Sequence, residues 1–382
     1  MRIVKLSSIC DIIMGQSPKG DSYNNKNEGY PLLNGAADYK GQNFKPKKFT
    51  NKPTKLTKKG DVIFGIRATI GNFAFADKQY CIGRGIAALR IYEDRADKYY
   101  IIRIVKNELS KIIHRAAGST IKGVKKEDLT EMLINLPKLE TQKKIAAILD
   151  EAEKVRQLNK ELIAKYDDLT QSLFLEMFGD PVTNPKVWKR YRMDKACLKV
   201  TDGTHDTPKR LKKGVKFITG KHIRPFVVDY DNSDYVTKEV HQEIYKRCNP
   251  EKGDVLYTNI GVNLGTAALN TVDYEFSMKN VALLKVNNEF LIGRFLEHFL
   301  NSPNMKEKIL WIASIGGAQK FLSLTQIRRL IVLAPPIQLQ NQFAERVQII
   351  ENQKQQAQES LQKSEDLFNS LLQKAFKGEL VK

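Results

Sequence analysis

The stretch from Thr141 to Phe178, TQKKIAAILDEAEKVRQLNKELIAKYDDLTQSLFLEMF, contains no proline or glycine, and apolar residues recur in it every three or four positions. This pattern predicts one long helix. An ungapped comparison of Pro137–Phe178 with Pro335–Phe376, 198 positions later, gives 12 identities in 42 positions. The chain is therefore a duplication, and each copy ends in a long helix.

The duplication predicts an α+β fold with two mixed globular domains, residues 1–136 and 181–334, and two helical spacers, residues 137–180 and 335–382. The first helix leaves one domain and ends at the other, and the second helix has to return. We therefore expect an antiparallel coiled coil with a domain at each end and approximate two-fold symmetry. Two modules on a flexible linker are the alternative, but residues 139–178 lack the composition of a linker.

Both helices show an imperfect apolar seam with alternating spacings of three and four residues, as in coiled coils. Lys354 and Ser364 interrupt the second seam, and the spacing of the first slips near Val155. The predicted spacer core consists of Ile145, Ile148, Val155, Leu162, Leu169, Leu173, Phe343, Val347, Ile350, Leu361, Phe368 and Leu371.

Within the domains, short apolar runs separated by Gly, Asn, Asp and Pro favour strands at Val62–Ile66 and Ile86–Ile91. Residues Tyr99–Ala117 have helical periodicity and precede Gly118, a predicted C-cap. The tetrapeptide Lys59–Val62 (KGDV) recurs as Lys252–Val255. The two domains therefore share a scaffold and differ mainly in their loops.

The chain carries a net charge of +20, and this charge is unevenly distributed. Residues Leu139–Phe178 and Ile337–Phe376 carry net charges of −2 and −1, so the rest of the chain carries +23. Seven lysines and no acidic residue lie within Lys45–Lys59. This distribution is expected if the domains face phosphate, although a solvated lysine-rich surface would look the same.

Several motifs of catalysts are missing from the sequence. The nearest match to a phosphate-binding loop, Gly214–His222 (GVKFITGKH), has the wrong spacing, and neither GxGxxG nor HExxH occurs. Five histidines and four distant cysteines show no metal-ligand spacing, so we expect free thiols. The missing motifs favour a protein that binds a partner over a catalyst. The basic start without an apolar core, and the lack of a long apolar run, predict a cytoplasmic protein.

These features together resemble one family, the specificity (S) subunit of type I restriction-modification systems, along essentially the whole chain. The motifs that carry the resemblance occur twice in the same order. They are Gly118-Ser119-Thr120, Gly123-Val124, Asp128-Leu129, Ile134–Gln142 and Phe178-Gly179-Asp180 in the first copy, and Gly316–Lys320, Ala334–Gln340 and Leu371–Leu380 in the second.

The resemblance implies that each domain reads one half of a bipartite DNA site while the helices fix the gap. It also implies two modification subunits, which bind S-adenosylmethionine and methylate an adenine in each half-site. Two ATP-driven restriction subunits complete the nuclease of such systems, and ATP and Mg belong to the partners. The chain itself would hold no cofactor and be noncatalytic. A coiled-coil scaffold for acidic proteins or RNA, and a cryptic nuclease, are the alternatives.

Two sets of residues are predicted to contact DNA. Phosphate contacts are expected from Lys45, Lys47, Lys48, Lys52, Lys55, Lys209, Arg210, Lys212 and Lys213. Base contacts are expected from Arg67, Arg84, His205, Asn259, Asn263 and Lys279. A structural hydrogen bond or simple exposure is the alternative for Arg67 and His205.

Overall fold

The computed structural model describes residues 2–40, 43–67, 70–115, 123–314 and 320–381. The predicted C-cap Gly118, the motif Gly118-Ser119-Thr120 and residues 316–319 of the second glycine motif lie outside these residues. The chain divides into two compact units. Unit 1 comprises Met1–Asn159 and Ser360–Lys382, and unit 2 comprises Lys160–Glu359. Each unit thus combines a mixed domain with part of both long helices.

The first domain lies in unit 1, and all of its strands are short. Its strands and helices are β1 Arg2–Lys5, β2 Cys10–Met14, β3 Tyr23–Asn24, β4 Tyr30–Leu33, β5 Tyr39–Lys40, β6 Asn43–Phe44, β7 Lys48–Thr50, β8 Val62–Gly65, β9 Phe73–Phe75, β10 Cys81–Ile82, β11 Ile86–Ile91, α1 Lys98–Arg115, α2 Lys126–Thr130 and β12 Leu133–Leu136. The 40-residue helix α3, Leu139–Phe178, follows and continues into unit 2.

The second domain lies in unit 2. Its elements are β13 Lys189–Arg192, α4 Met193–Ala196, β14 Cys197–Asp202, β15 Val215–Thr219, β16 Ile223–Arg224, β17 Val227–Val228, β18 Asp234–Val236, α5 Lys238–Arg247, β19 Val255–Tyr257, β20 Ala267–Leu269, β21 Ser277–Lys279, β22 Ala282–Val286, α6 Gly293–Asn301, α7 Pro303–Ser314, α8 Leu324–Arg329 and β23 Ile331–Ala334. The 41-residue helix α9, Ile337–Lys377, completes the described fold.

The sheets repeat between the units. The order β2-β11-β8-β9 in unit 1 corresponds to β14-β22-β19-β20 in unit 2, and β1-β12 corresponds to β13-β23. A parallel pair, β4 with β10 or β15 with β21, recurs in the remaining main sheet of each unit. The predicted α+β class and the two long helices are confirmed. The predicted boundaries between domains and spacers stay predictions.

Individual elements follow the sequence pattern closely. The predicted strands appear as Val62–Gly65 and Ile86–Ile91, and the predicted helix appears as Lys98–Arg115. Helix α3 ends because Gly179 adopts φ +77°, a conformation that favours glycine, and its N–H donates to the Leu175 carbonyl oxygen at 2.8 Å. Among the described helices, none is long and apolar enough to cross a membrane.

In unit 1 the start of helix α3 packs against the end of helix α9, and the two helices run in opposite directions. Asn159 Nδ2 donates to Ser364 Oγ at 3.4 Å, while Ala152 and Leu371, both partly buried, pack in the same core. The Arg156 guanidinium lies 3.6 Å from a Glu365 carboxylate oxygen. It also lies 4.7 Å from the centre of the Phe368 ring. This part of the pair is therefore antiparallel.

Unit 2 repeats the arrangement with the other halves of the helices. Phe174 and Phe178 meet Phe343 edge-on, with ring centroids 5.6 and 5.3 Å apart, and Lys354 forms an ion pair with Asp167. Lys354 is the counterpart of Arg156 at the 198-residue offset, and Asp167 has the same relation to Glu365. The same ion pair thus joins the helices once in each unit.

The structure corrects part of the predicted seam of α3. Ile148, Val155, Leu162 and Leu169 are 38, 49, 41 and 49% exposed, so they do not belong to the spacer core. The seam of α3 consists instead of a set of buried or partly buried positions spaced by three and four residues: Ile145, Leu149, Ala152, Arg156, Asn159, Ile163, Tyr166, Thr170, Leu173 and Met177. Polar residues at several of these positions concealed the seam, and apolar residues on the outer face imitated one.

The α9 residues of the predicted core lie at buried or partly buried positions. Phe343 and Val347 are fully buried, Phe368 is buried, and Ile350, Leu361 and Leu371 are partly buried. Lys354 and Ser364, which interrupt the apolar pattern, also lie on this face, because each has a polar partner on α3.

A buried glutamine ties each long helix to its domain. Gln142 accepts the Asp97 N–H at 2.8 Å and donates to the Pro137 carbonyl oxygen at 2.8 Å. Its counterpart Gln340 accepts the Ile292 N–H at 3.0 Å and donates to Pro335 at 2.8 Å. Both glutamine side chains are fully buried, so these hydrogen bonds replace the hydrogen bonds to water that the side chains lose on folding.

The repeated KGDV segment has a structural role. Asp61 forms two hydrogen bonds with the Arg90 guanidinium, at 3.0 and 2.8 Å, and Asp254 lies 2.9 Å from Lys285 Nζ. Both aspartates are buried and also cap the turn before their strand. These pairs fix the same turn in both domains, so they are scaffold and not DNA contacts.

The core of unit 2 contains His298 among aromatic rings. Its ring centroid lies 4.5 Å from that of Phe226 and 5.1 Å from that of Phe343. Burial, with a smaller contribution from the charge of Arg294, lowers the pKa of His298 to about 3. The neighbouring Glu297 is also buried, and its burial raises its pKa to about 7. The imidazole is therefore neutral at physiological pH.

We predict that His298→Phe changes how stability depends on pH. Below about pH 6.5 the unfolded histidine binds a proton that the folded one excludes, so native stability falls by about 1.4 kcal/mol per pH unit. Relative to the native chain, the variant should gain about 2 kcal/mol between pH 7 and pH 5. Urea unfolding at both pH values measures this difference.

Glu297→Gln is the matched control for the histidine variant. Because the folded pKa of Glu297 is raised, native stability falls as pH rises from about 4.5 to 7, which is the opposite slope. The control should therefore gain stability, relative to the native chain, as the pH rises. A His298→Phe difference that is the same at pH 5 and pH 7 would contradict the prediction.

Candidate nucleic-acid interface

A concave surface of about 760 Å³ lies on the second domain, at the end of its parallel strand pair. We call it the basic cavity. It is lined by Arg210, Thr219, Gly220, Lys221, Arg224, Ile260, Gly261, Val262, Asn263, Lys279 and Asn280. Four of these residues are cations. The cavity therefore concentrates positive charge where the sheet exposes its loops.

Strand pairing explains why residues far apart in sequence meet here. Strands β15 and β21 run parallel, with Thr219 opposite Lys279, so the turn 220–222 and the turn after Lys279 leave the sheet side by side. The β19–β20 hairpin supplies the third wall through residues 260–263. Together with Arg210 of the β14–β15 loop, these three segments surround one concave surface, and the sheet holds their ends.

The charge of the cavity is only partly neutralised within the fold. Asp234 lies 3.0 Å from Arg210 and 3.1 Å from Lys221, so one carboxylate is shared by two cations. Lys279 donates to Thr207 Oγ1, a neutral partner. Burial, together with the charge of Lys221, lowers the pKa of His222 behind this wall. The cavity therefore favours an anion such as phosphate.

The predicted residues of the second domain have different roles in the structure. Arg210, Asn263 and Lys279 are brought together in the basic cavity. Lys209, Lys212 and Lys213 are exposed on the preceding loop, and their predicted phosphate contacts stay predictions. His205 is exposed, with Nδ1 2.9 Å from Asn280 Oδ1 and Nε2 3.0 Å from Asp202 Oδ2. It is therefore held beside the cavity.

Two predicted base-reading residues hold the hairpin loop in place. Asn263 Nδ2 donates to the carbonyl oxygens of Gly220 and Ile223 at 3.1 and 3.0 Å. Asn259 is 7% exposed, and its Nδ2 donates to the Leu322 carbonyl oxygen at 3.3 Å. Because their amide donors bind backbone carbonyl groups, these two asparagines brace the loop, and their predicted base contacts stay predictions.

The first domain has an equivalent turn. Gly83-Arg84-Gly85 corresponds to Lys279-Asn280, since Gly15 and Gly203 donate their N–H groups to Ile86 and Val281 at 2.9 and 3.0 Å. A Cβ on Gly15 would lie 2.1 Å from the Gly83 carbonyl oxygen, and one on Gly203 would lie 2.1 Å from that of Met278. Only glycine permits this close approach, which positions both turns.

The remaining predicted residues of the first domain are at the surface. Arg84 is exposed, and its N–H donates to Ser17 Oγ at 3.3 Å. Arg67 is exposed in the β8–β9 loop, which corresponds to the loop that carries Val262. The exposed lysines, on and beside β7, are Lys45, Lys47, Lys48, Lys52 and Lys55. Their predicted contacts with DNA stay predictions.

Sequence reasoning predicted three of the eleven residues of the basic cavity, and those that it missed include Lys221, Arg224, Val262 and Asn280. Lys221 belongs to the GKH segment that was compared only with phosphate-binding loops. A search for cations within five residues after the strands of the parallel pair would have found Lys221 and Arg224. Asn280 follows Lys279 with φ +51°, in a turn that the sequence does not mark.

The described residues contain no group of three or more His, Cys, Asp or Glu side chains placed to hold a metal ion. The four cysteines are free and buried, and burial raises the pKa of Cys10, Cys197 and Cys248 to about 12. The thiols of Cys10, Cys197 and Cys248 are thus protonated core groups.

Residues 1–165 match the family "Type I restriction modification DNA specificity domain". Over 167 residues the chain is 35% identical to the putative type I restriction enzyme MjaX specificity subunit of Methanocaldococcus jannaschii, covering 43% of this chain and 39% of that protein. It is 23% identical to the EcoBI specificity subunit of Escherichia coli, covering 99% of this chain and 85% of that one.

Two solved structures share the fold. A chain of a type I restriction-modification complex, described in a study of assembly and conformational transition, aligns with TM-score 0.64 at 18% identity, covering 99% of this chain and 98% of that one. The S subunit from M. genitalium aligns with TM-score 0.57 at 18% identity, covering 98 and 96%. In its duplicated domains, its long helices and the match of residues 1–165, the chain is similar to type I restriction-modification DNA specificity subunits.

Proposed function

We propose that this chain directs a type I restriction-modification complex to a bipartite DNA sequence, with each domain reading one half-site. The observation that carries the proposal is the basic cavity, where Arg210, Lys221, Arg224 and Lys279 surround one concave surface. Duplex DNA presents closely spaced phosphates to such a surface. Two related domains suit a target that consists of two separate half-sites.

The partners of the chain belong to the same proposal. Two modification subunits, carrying S-adenosylmethionine, would methylate one adenine in each half-site, and two restriction subunits would use ATP and Mg for cleavage. The chain itself would supply no reacting group, as its relatives are named specificity subunits. It would act by binding and positioning.

Selection from random duplexes tests the proposal directly. The full chain, alone and with its modification subunit, should enrich duplexes that contain two defined half-site sequences separated by a gap of unspecified sequence. Enrichment of no sequence, or equal binding of RNA of matched length, would favour the alternative of a scaffold or RNA-binding protein. Metal-dependent cleavage by the isolated chain would indicate a nuclease.

We predict that Lys221→Ala with Arg224→Ala weakens binding and lowers its salt dependence. Two lost phosphate contacts should reduce the slope of log K against log salt concentration by about 1.8. The slope is measured by fluorescence anisotropy with the selected duplex, at about four salt concentrations between 50 and 200 mM. Lys195→Ala with Lys252→Ala removes the same charge from exposed positions outside the cavity and should leave the slope unchanged. An equal change in both variants would contradict a local phosphate contact.

The helices are proposed to set the gap between the half-sites. Inserting one heptad after Lys160 and another after Ser360 preserves the seam and lengthens each helix by roughly 10 Å. The preferred gap should then grow by about three base pairs, at roughly 3.4 Å each. Selection from random duplexes measures the new gap.

A heptad inserted into α3 alone is the control, because it leaves the two helices unequal and should give no single preferred gap. An unchanged gap in the doubly extended chain, with its helices still paired, would contradict the proposed ruler.

The exposed apolar residues of α3 indicate a binding surface for a helix of a partner. Ile148, Val155, Leu162 and Leu169 are spaced by seven residues, so they form an apolar stripe along one face. The equivalent positions of α9 are Arg346, Gln353, Ser360 and Leu367, of which only the last is apolar. We therefore infer that a helix of one of the two modification subunits packs on this face of α3, and that the second subunit does not use the equivalent face of α9.

We predict that Val155→Glu with Leu162→Glu weakens binding of one of the two modification subunits at least tenfold, because two charges would enter an apolar contact. Calorimetric titration of the full chain with that subunit measures the loss, and circular dichroism checks the fold. Gln353→Glu with Ser360→Glu, at the equivalent exposed positions of α9, is the matched control and should bind normally. Equal weakening by both variants would show that the stripe is not the contact.

A further inference from the structure

We propose that Val262 is a specificity-determining residue, whose side chain contacts the 5-methyl group of a thymine in the half-site bound by unit 2. The inference rests on the proposed function, since it requires that the basic cavity binds duplex DNA. It adds a named reading residue and the base that this residue recognises.

Val262 is fully exposed at the tip of the β19–β20 hairpin and lines the basic cavity. Single exposed apolar residues are common on protein surfaces and need no explanation by themselves. The position of Val262 is the informative feature, because Lys221, Arg224 and Lys279 line the same cavity. The apolar side chain of Val262 therefore lies at a site where the surrounding cations would attract a polyanion.

The loop that carries Val262 is held from both sides. The Leu264 N–H donates to Gly261 at 3.1 Å, and the Gly265 N–H donates to Thr258 at 2.9 Å. The Asn263 side chain ties the tip to the turn after β15, with bonds of 3.1 and 3.0 Å. On the other side, the Leu322 N–H donates to the Asn259 carbonyl oxygen at 2.8 Å. The valine is therefore presented by a preorganised loop, which reduces the entropy cost of a contact.

The chemistry of DNA limits what such a valine recognises. Phosphates and nearly all base edges offer charged or hydrogen-bonding groups, which the cations and Asn280 of the cavity suit better than a valine does. In the major groove, the thymine methyl is the apolar group on a base edge. A valine among cations therefore matches a thymine that lies between contacted phosphates.

Replacement of thymine by deoxyuridine removes only this methyl group, which makes the test specific. After the bipartite site has been selected with the full chain, each thymine in it is replaced singly. For the native chain, one replacement should weaken binding about fourfold, as expected for one buried methyl group at about 0.8 kcal/mol. For Val262→Ala, thymine and deoxyuridine should bind equally at that position.

Leu198→Ala is the control, because Leu198 is an exposed apolar residue of the same unit outside the basic cavity. This variant should keep the fourfold preference for thymine. The ratio between the two duplexes is unaffected by a general loss of folded protein, so it separates base reading from structural damage.

Three results would overturn the inference while leaving DNA recognition intact. They are a half-site without thymine, a native chain that discriminates at no thymine, and a Val262→Ala variant that keeps the discrimination. The last two would be expected if the valine wedged between base pairs or touched only sugar. Absence of selective DNA binding by the native chain would instead overturn the proposed function itself.

Discussion

The register of the two long helices depends on a cation placed in each seam. Arg156 lies near Glu365 in unit 1, and Lys354 pairs with Asp167 in unit 2. A slip of one heptad would place Arg156 opposite Gln358 or Leu372, and Lys354 opposite Lys160 or Phe174. None of these residues offers a carboxylate, so both slipped registers would remove the interhelical partner of each cation, while Arg156 would keep Glu153 of its own helix. A polar seam residue of this kind lowers stability but selects one register.

The domains show the same division between a fixed frame and variable loops. The ion pairs of Asp61 and Asp254, and the close approaches at Gly15 and Gly203, recur in both units at equivalent positions. By contrast, the turn after the parallel pair is Gly83-Arg84-Gly85 in one domain and Lys279-Asn280 in the other. The frame therefore positions loop ends in the same way while the loops present different chemistry, which is what two dissimilar half-sites require.

Much of this frame was predictable from sequence, because duplication and helical periodicity are properties of long segments. The seam of α9 could be read directly, whereas that of α3 could not, since Arg156, Asn159 and Thr170 occupy it and Val155 and Leu162 lie outside it. Transferring the α9 seam through the 198-residue offset gives the observed α3 positions. Comparison of the two repeats thus predicts the seam of α3 correctly, whereas the hydrophobic pattern of α3 alone predicts the wrong face.

The contents of the basic cavity were less predictable, because a polar side chain in a loop has two competing uses. Asn259 and Asn263 have the residue type of base readers, yet their amide donors bind nearby carbonyl groups and hold the hairpin. Sequence does not show this competition, since the carbonyl partners come from Gly220, Ile223 and Leu322. Lys221 and Arg224 acquire their role only when strand β15 is paired with β21.

An exposed valine is more informative in this respect than an exposed asparagine. A polar residue at a loop tip is explained by solvent or by a local hydrogen bond, so its exposure says little about a ligand. A valine gains nothing from water and forms no hydrogen bond, and Val262 is excluded from every described apolar core cluster. Its position on a braced loop among cations is therefore best accounted for by a ligand that combines negative charge with an apolar group, and thymine-containing duplex DNA is such a ligand.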